Sequence, residues 1–479
     1  MPSSNTKARA AALAPSIHPR ITHHRPPSSS SHSPAASPHV DIRITNHYAA
    51  KVYTTGAVIT GEAVLRTARD LRFDRVALQL VGLAATRNYM APEVGQVLHR
   101  FLLLDMPAAD LAAALPADRV LRAGRPYALP FRFVVPRRLP LGACASARRC
   151  EHPAVREHHL RLPPSVGGAD AAAVWGGRDD GSPETARVRY CVCVAVLQRS
   201  FGWAPDLVPV LRAHREVNVL PAYAEDPPLD IQSGGDKAGE YRLAASKTLR
   251  RSLVTRRLGV VAVEAAQPPA AVLSPDARRA QSPVRVVLKL RFRPAAEPDE
   301  AVAPLLPAVH AVAAKLVART YYSTSHMGAF PDRERKAELN HGPSLHYSDT
   351  SRVASAQLAW VEGWRQVAAA GESVAALDAV FELPVDDRKM LLPTFHSCLL
   401  SRTYTLRLVL TVGPGRTRIS LSLPLQIIVE GGLSKSCEDV PECGEVDDVA
   451  LPRYKDHLFV QHHYDECDTH IPLGIGLIM

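Results

Sequence analysis

The chain is poor in the features that mark membrane-spanning, secreted and catalytic proteins. No stretch of the 479 residues approaches the roughly 18 consecutive apolar residues needed to cross a bilayer. Even residues 309–318 are interrupted by His310 and Lys315. An Asn-x-Ser/Thr acceptor is absent, and the first 40 residues have no acid and no apolar core of the kind a secretory signal needs. That arm carries Lys7, Arg9, Arg20 and Arg25 among Ser, Pro and His, and the run Arg25-Pro26-Pro27-Ser28 would break an amphipathic presequence helix. It reads as disordered.

Catalytic signatures are missing as well. There is no Gly-x-Ser-x-Gly elbow, no Gly-x-x-x-x-Gly-Lys-Ser/Thr loop, no Gly-x-Gly-x-x-Gly after a strand and no His-Glu-x-x-His. Adjacent acids at Asp179-Asp180, Asp386-Asp387 and Asp447-Asp448 read as solvated loop residues, so no catalytic residue is assigned. Eight cysteines scattered over a long chain do not make a disulfide framework, and a reducing, cytoplasmic compartment is expected. Cys191 and Cys193 share one face of a strand-like run as small core residues.

In the last 49 residues Cys437, Cys443 and Cys467 lie near His462, His463 and His470, donors that suit zinc. Five residues separate the first two cysteines, which fits no standard finger, so neither a metal nor a cofactor is expected.

Charge is unevenly placed. The chain carries a formal +10, but ten acids against three bases leave residues 431–479 at −7 and the rest at +17. A basic body of this kind can meet nucleic acid, anionic lipid or phosphorylated segments. With no zinc finger, RNA-recognition signature or basic helix, nucleic acid is not an expected partner, whereas an anionic membrane surface is a candidate one.

What the sequence does have is proline and short β runs. Its 40 prolines are too many for a mainly helical protein. Runs at 41–45, 58–66, 73–82, 98–104, 127–135, 188–197 and 214–220 are rich in Val, Leu, Ile or aromatics and bounded by Gly or Pro, which predicts a β-sandwich over 41–225. A short helix is expected over 108–115, and 167–183 reads as a Gly/Asp-rich insertion loop.

Residues 226–247 are rich in Pro, Gly and acids and read as a linker. A second sandwich follows over 248–430, with strands at 253–264, 284–292, 309–322, 357–361, 374–383, 404–412 and 418–429 and polar insertions at 267–283 and 323–355. Gly413-Pro414-Gly415 sets a hairpin between the last two. The fold class is all-β, two tandem immunoglobulin-like sandwiches with an N-terminal arm at 1–40 and an acidic disordered tail at 431–479.

Three segments, 55–65 (TGAVITGEAVL), 124–136 (GRPYALPFRFVVP) and 158–167 (HHLRLPPSVG), together resemble the N-terminal sandwich of arrestins. The first reads as strand, glycine turn and strand, the second as an alternating strand closed by proline, and the third as a loop, neither helix nor central strand. Residues 392–406 (LPTFHSCLLSRTYTL) and 423–427 (LPLQI) are similar to the closing strands of the arrestin C-terminal lobe. The resemblance, to the fungal α-arrestin or arrestin domain-containing family, covers about residues 41 to 430, with order and spacing supplying its specificity.

It implies a non-enzymatic adaptor that links cytosolic regions of membrane transporters or receptors to ubiquitylation, endocytosis and protein transport, with recruitment to the plasma membrane or endosomes. Fungal α-arrestins recruit the WW domains of HECT-type ubiquitin ligases through Pro-Pro-x-Tyr. This chain lacks that motif but has Leu451-Pro452-Arg453-Tyr454 and Leu220-Pro221-Ala222-Tyr223, which keep the stacking proline and the pocketed tyrosine. Leu451, Pro452 and Tyr454 form the stronger ligand candidate. Leu220, Pro221 and Tyr223 form the weaker, because a proline ending a strand with tyrosine packed between lobes explains them more simply. The alternatives are a ligase-independent arrestin-fold scaffold in trafficking or signalling and, in another class, a metal-dependent enzyme.

Overall fold

The computed structural model describes residues 39–87, 96–144, 147–200, 206–229, 241–250, 257–295, 306–331, 344–352, 357–367 and 371–431. The described chain is mostly β-strand, and each main sheet draws its strands from one half of the sequence. In the N-terminal half, Val58–Arg66 sits between His39–Ile44 and Tyr127–Val134 in a three-stranded sheet. A five-stranded sheet faces it, ordered Val52–Tyr53, Leu207–Val219, Ala186–Arg199, Arg75–Arg87 and Gln96–Asp105. In the C-terminal half one sheet runs Ala244–Arg250, Arg257–Ala265, Val284–Pro294, Glu372–Phe381 and Gln357–Val367. The other joins Ser344–Arg352, Val309–Ser323, Leu400–Val412 and Phe395–His396, with Thr417–Leu425 also pairing to Leu400–Val412.

Period-2 patterning explains these elements. Along Val284–Pro294 the residues Val284, Val286, Leu288, Leu290 and Phe292 are buried, while Arg285, Lys289, Arg291 and Arg293 face out. Tyr127–Val134 alternates in the same way. Each large apolar side chain so buried contributes about 1.5–3 kcal/mol, which is why a one-residue register slip is not tolerated here. One apolar cluster runs from Ile42 and Leu65 through Phe133 and Val194 to Leu288, Leu406 and Ile427, so it includes side chains of both halves. Ala186–Arg199 is covered on both faces. Cys191 and Cys193 are buried, packing with Val81 and Leu103 rather than in the main cluster.

Several expectations are met. The helix forms at Ala108–Ala114, and Val412 and Thr417 flank the Gly413-Pro414-Gly415 turn of a long antiparallel hairpin. Others need correction. The segment at 158–167 does not start as a loop: His158 and His159 close a helix, Pro153–His159, with Pro153 at its first turn and the His152 side chain accepting from Ala154 N at 3.1 Å.

The insertion at 167–183 is packed rather than loose. It carries a 3-10 turn at Gly168–Asp170, the short helix Ala171–Val174 and Trp175, which is fully buried. Asp180 in that insertion is buried too, not solvated as its pairing with Asp179 suggested. The expected linker overlaps an edge strand, Ala244–Arg250, and the expected polar insertion at 323–355 contains the strand Ser344–Arg352. The strand expected to end at 429 is broken at Gln426, after which Ile427–Val429 pairs in parallel with Ala271–Leu273.

Candidate functional site

Where the two halves meet, backbone and side chains interlock. Asp179 N donates to Arg388 O and Met390 N donates to Asp179 O, both at 2.8 Å. The Arg178 guanidinium reaches Ala277 O at 3.1 Å, and Thr86 Oγ1 donates to Ser323 O at 2.7 Å. Arg402, 1% exposed, donates through Nη2 to the carbonyl of Asp180 at 3.0 Å. The Asp180 carboxylate in turn accepts from Gly167 N at 2.7 Å, Trp175 Nε1 at 3.0 Å and Ser182 N at 3.0 Å. Burying these charged groups is tolerable because most of their polar atoms are paired, although Arg402 Nε has no partner.

Beside this seam lies a group of sulfur and imidazole donors from four separate segments. Cys144 follows the 3-10 turn Leu141–Ala143, and His159 ends the helix Pro153–His159. His326 follows the long strand Val309–Ser323, and Cys398 sits in the tight turn between Phe395–His396 and Leu400–Val412. The loops that carry them are pinned together: Glu151 N donates to Gly328 O at 2.8 Å and Met327 N to Cys398 O at 2.9 Å. Gly328 permits the approach, because a Cβ there would lie 2.1 Å from Arg149 O.

One ligand atom from each of Cys144, His159, His326 and Cys398 falls within 4.8 Å of the others. Cys144 Sγ is 3.4 Å from His159 Nδ1 and 3.5 Å from His326 Nε2. Cys150 Sγ lies alongside, 4.0 Å from Cys144 Sγ, 3.8 Å from His159 Nδ1 and 3.9 Å from His326 Nε2. Behind the ring of His159, its Nε2 meets His396 Nε2 at 3.1 Å. Cys144 and Cys398 are each 2% exposed and His159 is 1% exposed, while His326 and Cys150 are half-buried.

The electrostatics follow from crowding. A hydrogen bond with Cys398, aided by His159 and His326, drives the Cys144 thiol well below its usual range. Cys398 moves the opposite way for the same reason, with burial adding to it. His396 is held far below the usual imidazole range by burial and by its neighbouring histidines. Two cysteine sulfurs and two imidazoles make a donor set suited to a soft or borderline metal ion. Cys144 beside His159 also has the composition of a nucleophile and base.

The residues named as ligand candidates from sequence are placed differently. Leu220 and Pro221 are buried, and the Tyr223 hydroxyl donates to Leu162 O at 3.2 Å and accepts from Leu162 N, with the Arg161 guanidinium over its ring. In this arrangement the phenol is engaged inside the protein rather than presented to a WW pocket. Leu451, Pro452 and Tyr454 lie outside the described residues, as do Cys437, Cys443, Cys467, His462, His463 and His470.

Sequence reading missed Cys144, His159, His326 and Cys398. The local signal was the density of Cys144, Cys150, His152, His158 and His159 within 16 residues. Nothing local links these to His326 and Cys398.

On the outer side of the C-terminal half a groove of about 1000 Å³ is lined by Arg242, Lys247, Lys289, Arg291 and Arg365, against Glu264 and Glu362. No described helix is long and apolar enough to cross a membrane. No protein-family model matches the chain, and no curated protein is significantly similar to it.

Proposed function

We propose that the chain is a non-enzymatic, arrestin-like adaptor of two immunoglobulin-like sandwich lobes, related to the fungal α-arrestins, that couples cytosolic segments of membrane transporters or receptors to a HECT-type ubiquitin ligase. The observation that carries this reading is the division of the strands. Residues 39–219 and 244–429 build their own sheets and meet along a seam of buried polar contacts. The ordered motifs of the sequence fit that plan.

The basic groove on the second lobe supplies a place for an acidic or phosphorylated cargo segment, since five cations facing two acids leave it net positive. The non-enzymatic reading is supported by the enclosure of the thiol and imidazole that most resemble catalytic groups. Because Tyr223 is engaged by Leu162, ligase recruitment falls to Leu451-Pro452-Arg453-Tyr454. Recruitment to the plasma membrane or endosomes would follow from the cargo.

The test is binding of a peptide spanning Val446 to Val460 to a panel of WW domains from HECT ligases. Micromolar binding that is lost in Tyr454→Ala is the expected result. Silence of both the peptide and the full-length protein would overturn the ligase mechanism and leave a ligase-independent scaffold.

A further inference from the structure

The cysteine and histidine group at the seam has no part in the adaptor reading, and its chemistry selects an occupant. We propose that Cys144, His159, His326 and Cys398 bind a structural zinc ion that staples the two halves of the chain together. Zinc holds sulfur at about 2.3 Å and nitrogen at about 2.0–2.1 Å in a tetrahedron, which sets neighbouring S and N ligands about 3.6 Å apart. Cys144 Sγ lies 3.4 Å from His159 Nδ1 and 3.5 Å from His326 Nε2, two edges of such a tetrahedron. Cys398 is near enough, within 4.8 Å of all three, to supply the fourth corner.

Donor type and burial agree with this assignment. Sulfur and imidazole select zinc over magnesium and calcium, which take oxygen. Two thiolates neutralise the dication, so the complex is uncharged and suits a buried place. In the complex both sulfurs coordinate as thiolates, any remaining thiol proton leaving to solvent, the sulfur lone pairs become the bonds to zinc, and the imidazoles coordinate as neutral groups. His159, coordinating through Nδ1, is steadied at its other nitrogen by His396.

Four protein donors, three of them buried, close the coordination sphere, the mark of a structural rather than a catalytic site. Without an ion the protein would bury two cysteine sulfurs among imidazoles. Cys150 is the spare thiol. It is more exposed than Cys398 and belongs to the same half as Cys144, so the fourth corner goes to Cys398. The ion therefore takes two ligands from the first half and two from the second, which makes it a tie between them.

Metal content of the full-length chain, purified in reductant after expression with zinc, is the test. One zinc per chain is expected. Exchange with cobalt should give the visible spectrum of a tetrahedral, thiolate-bound ion. Cys144→Ser and Cys398→Ser should lose the metal, whereas Cys150→Ser and Cys191→Ser should keep it. Chelation should lower the unfolding midpoint by about 10 °C, with recovery on adding zinc but not magnesium.

Absence of zinc together with no cobalt spectrum would overturn the proposal, as would a disulfide joining Cys144 to Cys150 or Cys398. Loss of metal in Cys150→Ser with retention in Cys398→Ser would overturn the ligand set. If the serine variants fail to fold, X-ray absorption on the wild-type protein decides: two sulfur and two nitrogen neighbours support the site, and any other shell refutes it. None of these readouts depends on WW binding.

Discussion

Removal of the Asp180 carboxylate measures how strongly the insertion at 167–183 is held. That side chain is 2% exposed and accepts from the amides of Gly167 and Ser182, the Trp175 indole and the Ser182 hydroxyl. Asp180→Ala leaves the Gly167 amide and the Trp175 indole unpaired in a buried place and the Ser182 amide unpaired at its edge. Each orphaned buried donor costs about 1–3 kcal/mol, so with partial relaxation the loss should come to about 3–6 kcal/mol. That is a large part of the roughly 5–15 kcal/mol that holds an ordinary domain together.

Urea unfolding followed by tryptophan fluorescence reads the change, with Trp175→Phe separating the signal of that indole from those of Trp203, Trp360 and Trp364. Asp180→Asn keeps an acceptor and should cost less than half as much as Asp180→Ala. A loss below about 1 kcal/mol for Asp180→Ala, at unchanged m-value, would refute the view that this carboxylate organises the insertion.

Tyr223→Phe removes a hydroxyl shared by the Leu162 amide and carbonyl and should cost about 1–2 kcal/mol in chemical denaturation, while leaving WW binding of the full-length chain unchanged. Leu288→Ala, at a fully buried position in the middle of its strand, should destabilise by about 2–5 kcal/mol and lower the calorimetric midpoint accordingly. Burial pushes His99 down to about 4. The folded chain then binds fewer protons than the unfolded one between about pH 4 and 6.5, so this stability is complete above pH 6.5 and is lost as pH falls through the window. The total is about 3 kcal/mol, and His99→Gln should flatten that part of a denaturation-against-pH curve.

The sequence was most informative where a strand has one wet face. Val284–Pro294 and Tyr127–Val134 place an apolar residue at every second position, and the glycines around Pro414 mark the hairpin between Leu400–Val412 and Thr417–Leu425. Edge strands were harder. Ala244–Arg250 has little to bury on either side, so its residues look like linker, and Pro209 hides the early part of Leu207–Val219, where the register shifts between Pro209 and Leu211. The helix Pro153–His159 was masked by its own ends, a proline that belongs at a first turn and a Pro163-Pro164 pair just beyond. The donor cluster was illegible for another reason: Cys144 and Cys398 are brought together by the packing of two halves, and no local pattern encodes that meeting.

The parallel pair Ala271–Leu273 with Ile427–Val429 sets an order of events during synthesis. The first half has all its described strands once Val219 has left the ribosome, and it can close its sheets while the rest is still being made. The second half cannot, because a strand near its beginning waits for one at its end. Until then the edge of Ala271–Leu273 and the apolar face of Val284–Pro294 lack their final cover. Nascent chains stalled before residue 427 should therefore hold a finished first half and an open second one, a state that a chaperone would be expected to meet.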